Sequence, residues 1–314
     1  MDGFSIVVTI NDRKLLKSVE MAGATAIRFN SSHVTLEELE KFTSYYEDTC
    51  SLPLYIDLQG AKLRLSRNQP VMEIKAGEQV TLGSQCSDLK AIAIDPRTLS
   101  YLSPGMKISI EDGRIELQVL KQEADNARAI VLRGGVIRAS KGMNISPHPI
   151  NQIELSSRDS DIVLATRKYD FVRYALSFVS SPSEVIELKD LSGRPVTSKI
   201  ERELPFPRVG EISSSSDEIW LCRGDLGAQL GARGLVDFYS YFSDNINELY
   251  KPVLMAGEVL EHMVDHPFAT RSELCHLKDI QMKGFAGIVL SNETAYGTFP
   301  IEAIKTVLEV TSDE

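Results

Sequence analysis

Eight short apolar runs, each followed by a polar or helical stretch, constrain this chain more than any other feature. They are "SIVVTI" (5–10), "TAIRF" (25–29), "PLYID" (53–57), "VRYALSF" (172–178), "PVTSKI" (195–200), "EIWLC" (218–222), "PVLMA" (252–256) and "GIVL" (287–290). Each is aliphatic or β-branched and bounded by polar residues, Gly or Pro, which reads as a short buried strand. Helical patterns fall between them: "RKLLKSVEMAG", "TLEELEKFTSYYE", "SDIVLATRKYD", "SPSEVIELKDL" and "PIEAIKTVLEV". The first runs into a Gly suited to a C-cap, and the last opens on Pro300 in a first helical turn. Eight strands alternating with helices predict an α/β fold, a TIM (β/α)8 barrel.

One long interruption separates the third and fourth runs. "QVTLGS", "KISIEDGRIELQVL" and "ARAIVLRGGVIRAS" alternate as strands rather than as strand and helix, and "EDGRI" offers an Asp-Gly hairpin turn. We therefore expect a barrel built from 1–64 and 150–314, with a small all-β, lid-like domain (65–149) inserted after strand three. With 314 residues and 43% hydrophobic content, the chain can bury a core of that size.

A formal charge of −10 gives no support to nucleic-acid or membrane partners. Cys50, Cys86, Cys222 and Cys275 are scattered without a CxxC pair, so neither a zinc site nor a disulfide framework is expected. Cys222 and Cys275 read as packing residues, and His262, His266 and His276 as surface residues. No run reaches the ~20 apolar residues of a spanning helix, and the start does not resemble a signal peptide. The expected location is cytoplasmic.

In such a barrel, the C-terminal strand ends face the site. Those ends carry Arg28, Asn30, Ser32 and His33 after strand two, Asp57 on strand three, Ser177 on strand four, and Lys199 and Glu201 on strand five. Strand six leads into Arg223-Gly224-Asp225, strand seven into Gly257 and Glu258, and strand eight into Ser291 and Glu293. Read alone, Arg-Gly-Asp suggests an adhesion loop. Read after "WLC", it suggests a carboxylate at the mouth of a barrel. Lys199 and Glu201, two apart on a strand, point the same way. Glu201 and Asp225, from adjacent strands, are expected to share one Mg²⁺ or Mn²⁺ ion, with Lys199 beside it to stabilise negative charge. Taken singly, any of these residues reads as an ordinary solvated charge; their coincidence at most strand ends favours a site.

Ordered motifs over nearly the whole length resemble the pyruvate kinase family: "AGATAIRFNSSH", "IDLQGAKLR", "ISIEDGRIELQV", "GGVIRASKGMNIS", "TSKIERE", "EIWLCRGDLG", "KPVLMAGEVLEHM", "ATRSELCHLKDI" and "VLSNETAYGTFPIEAIKTVLEV". The resemblance implies a metal-dependent phosphotransferase acting on phosphoenolpyruvate and pyruvate. It implies Lys199 as the catalytic lysine and Arg28 as a contact of the transferred phosphate. Glu201 and Asp225 match the divalent-metal ligands, and the Gly224 amide matches the group that holds the substrate carboxylate. Asn30, Ser32 and Asp57 match monovalent-cation ligands. His33, Arg64 and the inserted-domain Lys141 match the nucleotide side.

The chain also departs from the family pattern. The family's substrate threonine falls on Gly257, followed by Glu258. Leu58, Gln59 and Ala61 replace family residues, as do Tyr296 and "TIND" (9–12). Lys62 replaces the glutamate that accompanies potassium dependence, so no potassium requirement is expected. Changes near the nucleotide side weaken the case for ADP. This leaves as an alternative a repurposed metal-dependent 2-oxo acid enzyme, with enolization, decarboxylation or carbon–carbon bond chemistry in a specialised biosynthetic pathway. A non-catalytic binding protein is the third reading, and retention of Lys199, Glu201 and Asp225 together weighs against it. The family's C-terminal regulatory domain would follow the last motif, where the sequence reaches Glu314. Its absence predicts no sugar-phosphate allostery and an altered or lost tetramer.

Overall fold

The computed structural model describes residues 3–84, 91–111, 113–146, 148 and 155–312, with only the backbone of His33. Asp112 of the expected hairpin turn and the expected domain boundary at 149–150 lie outside them. The chain divides into two compact units. One comprises Met1–Gly60, Gln152–Arg223 and Phe238–Glu314; the other comprises Ala61–Asn151 and Gly224–Asp237.

The first unit carries a closed parallel barrel. Its strands are β1 (Ser5–Thr9), β2 (Ala26–Asn30), β3 (Leu54–Leu58), β4 (Val172–Leu176), β5 (Val196–Ile200), β6 (Glu218–Cys222), β7 (Val253–Ala256) and β8 (Gly287–Leu290). Each pairs with its neighbours in chain order, and β8 pairs with β1. All eight coincide with the expected runs to within two residues at either end. β3, β5, β7 and β8 are buried throughout, as parallel strands covered by helices must be.

The barrel interior is filled by Val7, Ala26, Tyr55, Ala175, Trp220, Cys222, Leu254, Ala256 and Val289. Trp220, the only tryptophan, stacks obliquely on Tyr55 with ring centroids 5.1 Å apart. Its indole N–H donates to Glu218 Oε1 at 2.7 Å. A filled interior leaves the strand ends as the place for chemistry.

Among the described residues, the helices of six residues or more are α1 (Leu16–Met21), α2 (Leu36–Glu47), α3 (Ser157–Thr166), α4 (Pro182–Ser192), α5 (Phe206–Ser215), α6 (Arg223–Asp244), α7 (Arg271–Met282) and α8 (Pro300–Thr311). Their ends follow from local chemistry. Thr35 with Glu38, and Thr270 with Glu273, form capping boxes that satisfy two orphan amides each. α4 begins on Pro182 and stops at left-handed Gly193. The first expected helix is shorter than its sequence suggests, because Arg13–Leu15 forms a separate 3-10 turn capped by Asp12. α6 is interrupted at Gly231, whose φ of 69° and ψ of 177° are non-helical. Among the described residues no helix is long and apolar enough to cross a membrane.

The second unit is mainly β. Seven strands pair in the order Leu63–Arg64, Gly142–Ser146, Lys107–Ile110, Ile115–Gln122, Asn126–Arg133, Gln79–Gly83 and Ala91–Ala93. Met72–Ile74 pairs separately with Gly135–Ile137. Alternation on Ile115–Gln122 and Asn126–Arg133 turns Ile115, Leu117, Val119, Ala127, Ala129 and Val131 into one apolar cluster.

Candidate active site

In the first unit the chemistry gathers around Asp57. β3 delivers this residue in register with Asn30 of β2 and Ala175 of β4. Arg28 donates from Nε to Asp57 Oδ2 at 2.9 Å, and its Nη2 donates to the same oxygen. Its Nη1 donates to Thr9 Oγ1 at 3.1 Å. From β5, Lys199 Nζ reaches Asp57 Oδ1 at 3.0 Å and Ser177 Oγ at 2.9 Å, and Ser177 Oγ donates back to Asp57 Oδ1 at 3.1 Å. Lys199 also lies 3.0 Å from Glu201 Oε1, so the Lys-x-Glu spacing does make the two side chains converge.

These groups are buried, and burial alone would drive them towards neutrality. It is overruled. Desolvation raises the Asp57 carboxyl, but Lys199 and Arg28 hold it well below the usual carboxylate range. Desolvation lowers the Lys199 ammonium, but Asp57 and then Glu201 push it above its ordinary value. Arg28 is likewise raised against its own desolvation, mainly by Asp57. Asp57, Lys199 and Arg28 are thereby favoured in their charged forms.

The backbone around the cluster is tightly constrained. Phe178, with φ of 57°, turns its amide to donate to Glu201 Oε2 at 3.0 Å. Left-handed Gly60 leaves no room for a side chain, since a Cβ would come 2.2 Å from Ser177 O. Asp159, fully buried, accepts from the amides of Gln59 (3.1 Å) and Gly60 (3.0 Å), fixing the exit of β3. Sequence reasoning missed Asp159; the signal was Ser156-x-x-Asp159 at the start of a helical pattern, an N-cap arrangement that the structure contains.

Arg223, the first residue of the Arg-Gly-Asp triplet, turns inward. Its guanidinium donates to Gly257 O at 3.1 Å and 2.6 Å, and to Glu258 O at 3.0 Å. Its Nη1 lies 2.6 Å from His276 Nε2. His276 is thus not the surface residue expected from its helical surroundings; burial first, then Arg223, depress its pKa. Cys275 is exposed rather than packed, whereas Cys222 is buried at the end of β6.

Gly224 and Asp225 do not extend a strand. β6 ends at Cys222, and both lie in the first turn of α6. In the second unit, Asp225 Oδ2 accepts from Lys62 Nζ at 2.6 Å and Oδ1 from Asn144 Nδ2 at 3.1 Å. Lys141 pairs with Glu111 at 2.7 Å, and Arg64 donates to Ser140 O at 3.1 Å. Asn30 accepts from its neighbour Ser32 N at 3.1 Å, capping a 3-10 turn. The His33 side chain lies outside the described residues.

Glu201 and Asp225 suit a hard divalent ion by donor chemistry. A carboxylate has about four lone-pair sites. Glu201 meets the Lys199 ammonium and the Phe178 amide, and Asp225 meets the Lys62 ammonium and the Asn144 amide. Among the described residues no group of three or more His, Cys, Asp or Glu is gathered for a metal.

The family model described as pyruvate kinase, barrel domain, matches residues 4–304. A pyruvate kinase from Methanocaldococcus jannaschii is 32% identical over 97% of this chain and 68% of its own. One from Thermotoga maritima is 27% identical over 100% of this chain and 71% of its own. Among solved structures, a pyruvate kinase from Cryptosporidium parvum superposes with a TM-score of 0.85 at 25% identity, covering 98% of this chain and 68% of that one. The chain belongs to the pyruvate kinase family.

Proposed function

We propose that this chain is a divalent-metal-dependent phosphotransferase that moves a phosphoryl group between phosphoenolpyruvate and a nucleotide. The observation that carries the reading is the buried Arg28–Asp57–Lys199 cluster, two fixed cations around one carboxylate. Phosphoryl transfer asks little covalent chemistry of a protein and mostly needs positioned positive charge.

Lys199, held ionised by Asp57 and Glu201, acts as a fixed cation and not as a general base near neutral pH. Its ammonium stabilises charge on the transferring phosphoryl group and on the enolate oxygen. Arg28 has five N–H donors. Those not engaged by Asp57 and Thr9 bind the phosphate. Ser177 keeps Lys199 and Asp57 in register. Glu201 and Asp225 are the residues that would hold Mg²⁺ or Mn²⁺, which when bound supplies Lewis-acid neutralisation of substrate oxygens. The Gly224 amide, in the first turn of α6, suits the substrate carboxylate. Gly257 is assigned to the substrate side. His33, Arg64 and Lys141 are assigned to the nucleotide. Lys62 makes potassium dispensable, and Asn30, Ser32 and Asp57 are assigned as the monovalent-cation-type positions.

The test is pyruvate formation from phosphoenolpyruvate and ADP with Mg²⁺ or Mn²⁺. Turnover is expected, and Lys199→Met should lower kcat by at least ~10²-fold with little change in the KM for phosphoenolpyruvate. Metal-dependent loss of oxaloacetate, or deuterium exchange into pyruvate, without any nucleotide-dependent turnover would overturn the reading.

A further inference from the structure

We propose that Lys62 competes with the divalent cation for Asp225, so that metal enters only by displacing an ammonium already seated on that carboxylate. The inference rests on Asp225 being a metal ligand and goes beyond it in giving Lys62 control of metal affinity.

Three observations within one unit support it. Lys62 Nζ lies 2.6 Å from Asp225 Oδ2, with the two side chains only 18% and 8% exposed. The pair is thus shielded from the solvent that makes most ion pairs weak. Asn144, itself buried, donates to the other oxygen at 3.1 Å, so the carboxylate is held in place for its cation. Finally, room is kept for the lysine stem. A Cβ on Gly142 would come 3.2 Å from Lys62 Cε, although Gly142 has no positive φ that would itself require glycine.

A Mg²⁺–oxygen bond is ~2.1 Å long, so an ion and an ammonium cannot share the same lone pair of Oδ2. Two cations on one carboxylate repel strongly at this range in a partly desolvated site. Lysine rather than arginine suits the role, because its charge is compact and its four-carbon stem can withdraw.

The experiment is Mn²⁺ binding to the full chain without substrates, read by electron paramagnetic resonance of free Mn²⁺. Lys62→Met should tighten binding by at least about tenfold, Lys62→Arg should stay near wild type, and Asp225→Asn should weaken it. Lys62→Gln serves if the methionine variant fails to fold, as judged by circular dichroism. Unchanged or weaker Mn²⁺ binding by the neutral variants, alongside weakened binding by Asp225→Asn, would show that Lys62 only positions Asp225 and would sink the competition. Unchanged binding by Asp225→Asn would instead remove the metal reading on which the proposal stands.

Discussion

The Lys199 ammonium lies 3.0 Å from Oδ1 and 3.2 Å from Oδ2 of Asp57, and both side chains are only 6% exposed. With Arg28 on the same carboxylate, Asp57 is the counter-charge for two buried cations. Asp57→Asn removes that charge and leaves both cations short of it. Breaking a buried pair from one side costs ~3–5 kcal/mol. A clear fall in the urea midpoint and loss of activity are expected; a midpoint equal to wild type would refute the role.

Asp57 also sets an acid limit. Its folded pKa lies below its unfolded value, so the unfolded state binds the proton more readily. The stability it contributes is present above the unfolded value of about 3.9 and is lost as pH falls further, through the folded value. Denaturation midpoints of wild type and Asp57→Asn should converge as pH drops below about 4. A gap that stays constant would contradict this.

His276 acts in a different window. Its folded pKa is depressed, so again the unfolded state takes up the proton first. Its contribution is complete above an unfolded value of about 6.5 and fades as pH falls through the folded one. Protonation also sets a second positive charge beside Arg223, 2.6 Å away. The melting temperature of wild type should drop between about pH 6.5 and 5 more steeply than that of His276→Asn; parallel slopes would count against it.

Gly60→Ala should be among the most damaging small substitutions. It forces a side chain into left-handed backbone, and its Cβ would approach Ser177 O to 2.2 Å. A cost of at least ~1–3 kcal/mol follows. Because Ser177 holds Lys199, kcat should fall along with stability. Normal kcat in a destabilised variant would separate the turn from the cluster.

Potassium should have no activating effect. Steady-state rates at constant ionic strength, with K⁺ exchanged for tetramethylammonium, are expected to match for wild type. Strong activation by K⁺ would show that Lys62 does not make the monovalent ion dispensable.

The barrel was legible because its signal is local. "EIWLC" and "GIVL" are apolar runs with nothing to continue them, and both strands have those bounds. Lys199 and Glu201 were legible as a pair because strand geometry fixes the direction of residues two apart. What stayed hidden depends on partners distant in sequence. Asp159 meets Gln59 across 100 positions, and Lys62 meets Asp225 across 163. His276 looked like a surface residue because helical periodicity says nothing about an arginine 53 positions away turning onto its ring. Asp225 was assigned to a strand end because the apolar run before it marks where the strand stops, not how soon the helix starts.

The single tryptophan has an experimental consequence. Trp220 is fully buried inside the barrel against Tyr55, and the second unit has no tryptophan. Excited selectively, this protein emits from one of its two units only. A denaturant titration followed by tryptophan emission traces the barrel, while far-ultraviolet dichroism sums both units. Any offset between the two curves measures how independently the second unit melts, with no label and no substitution.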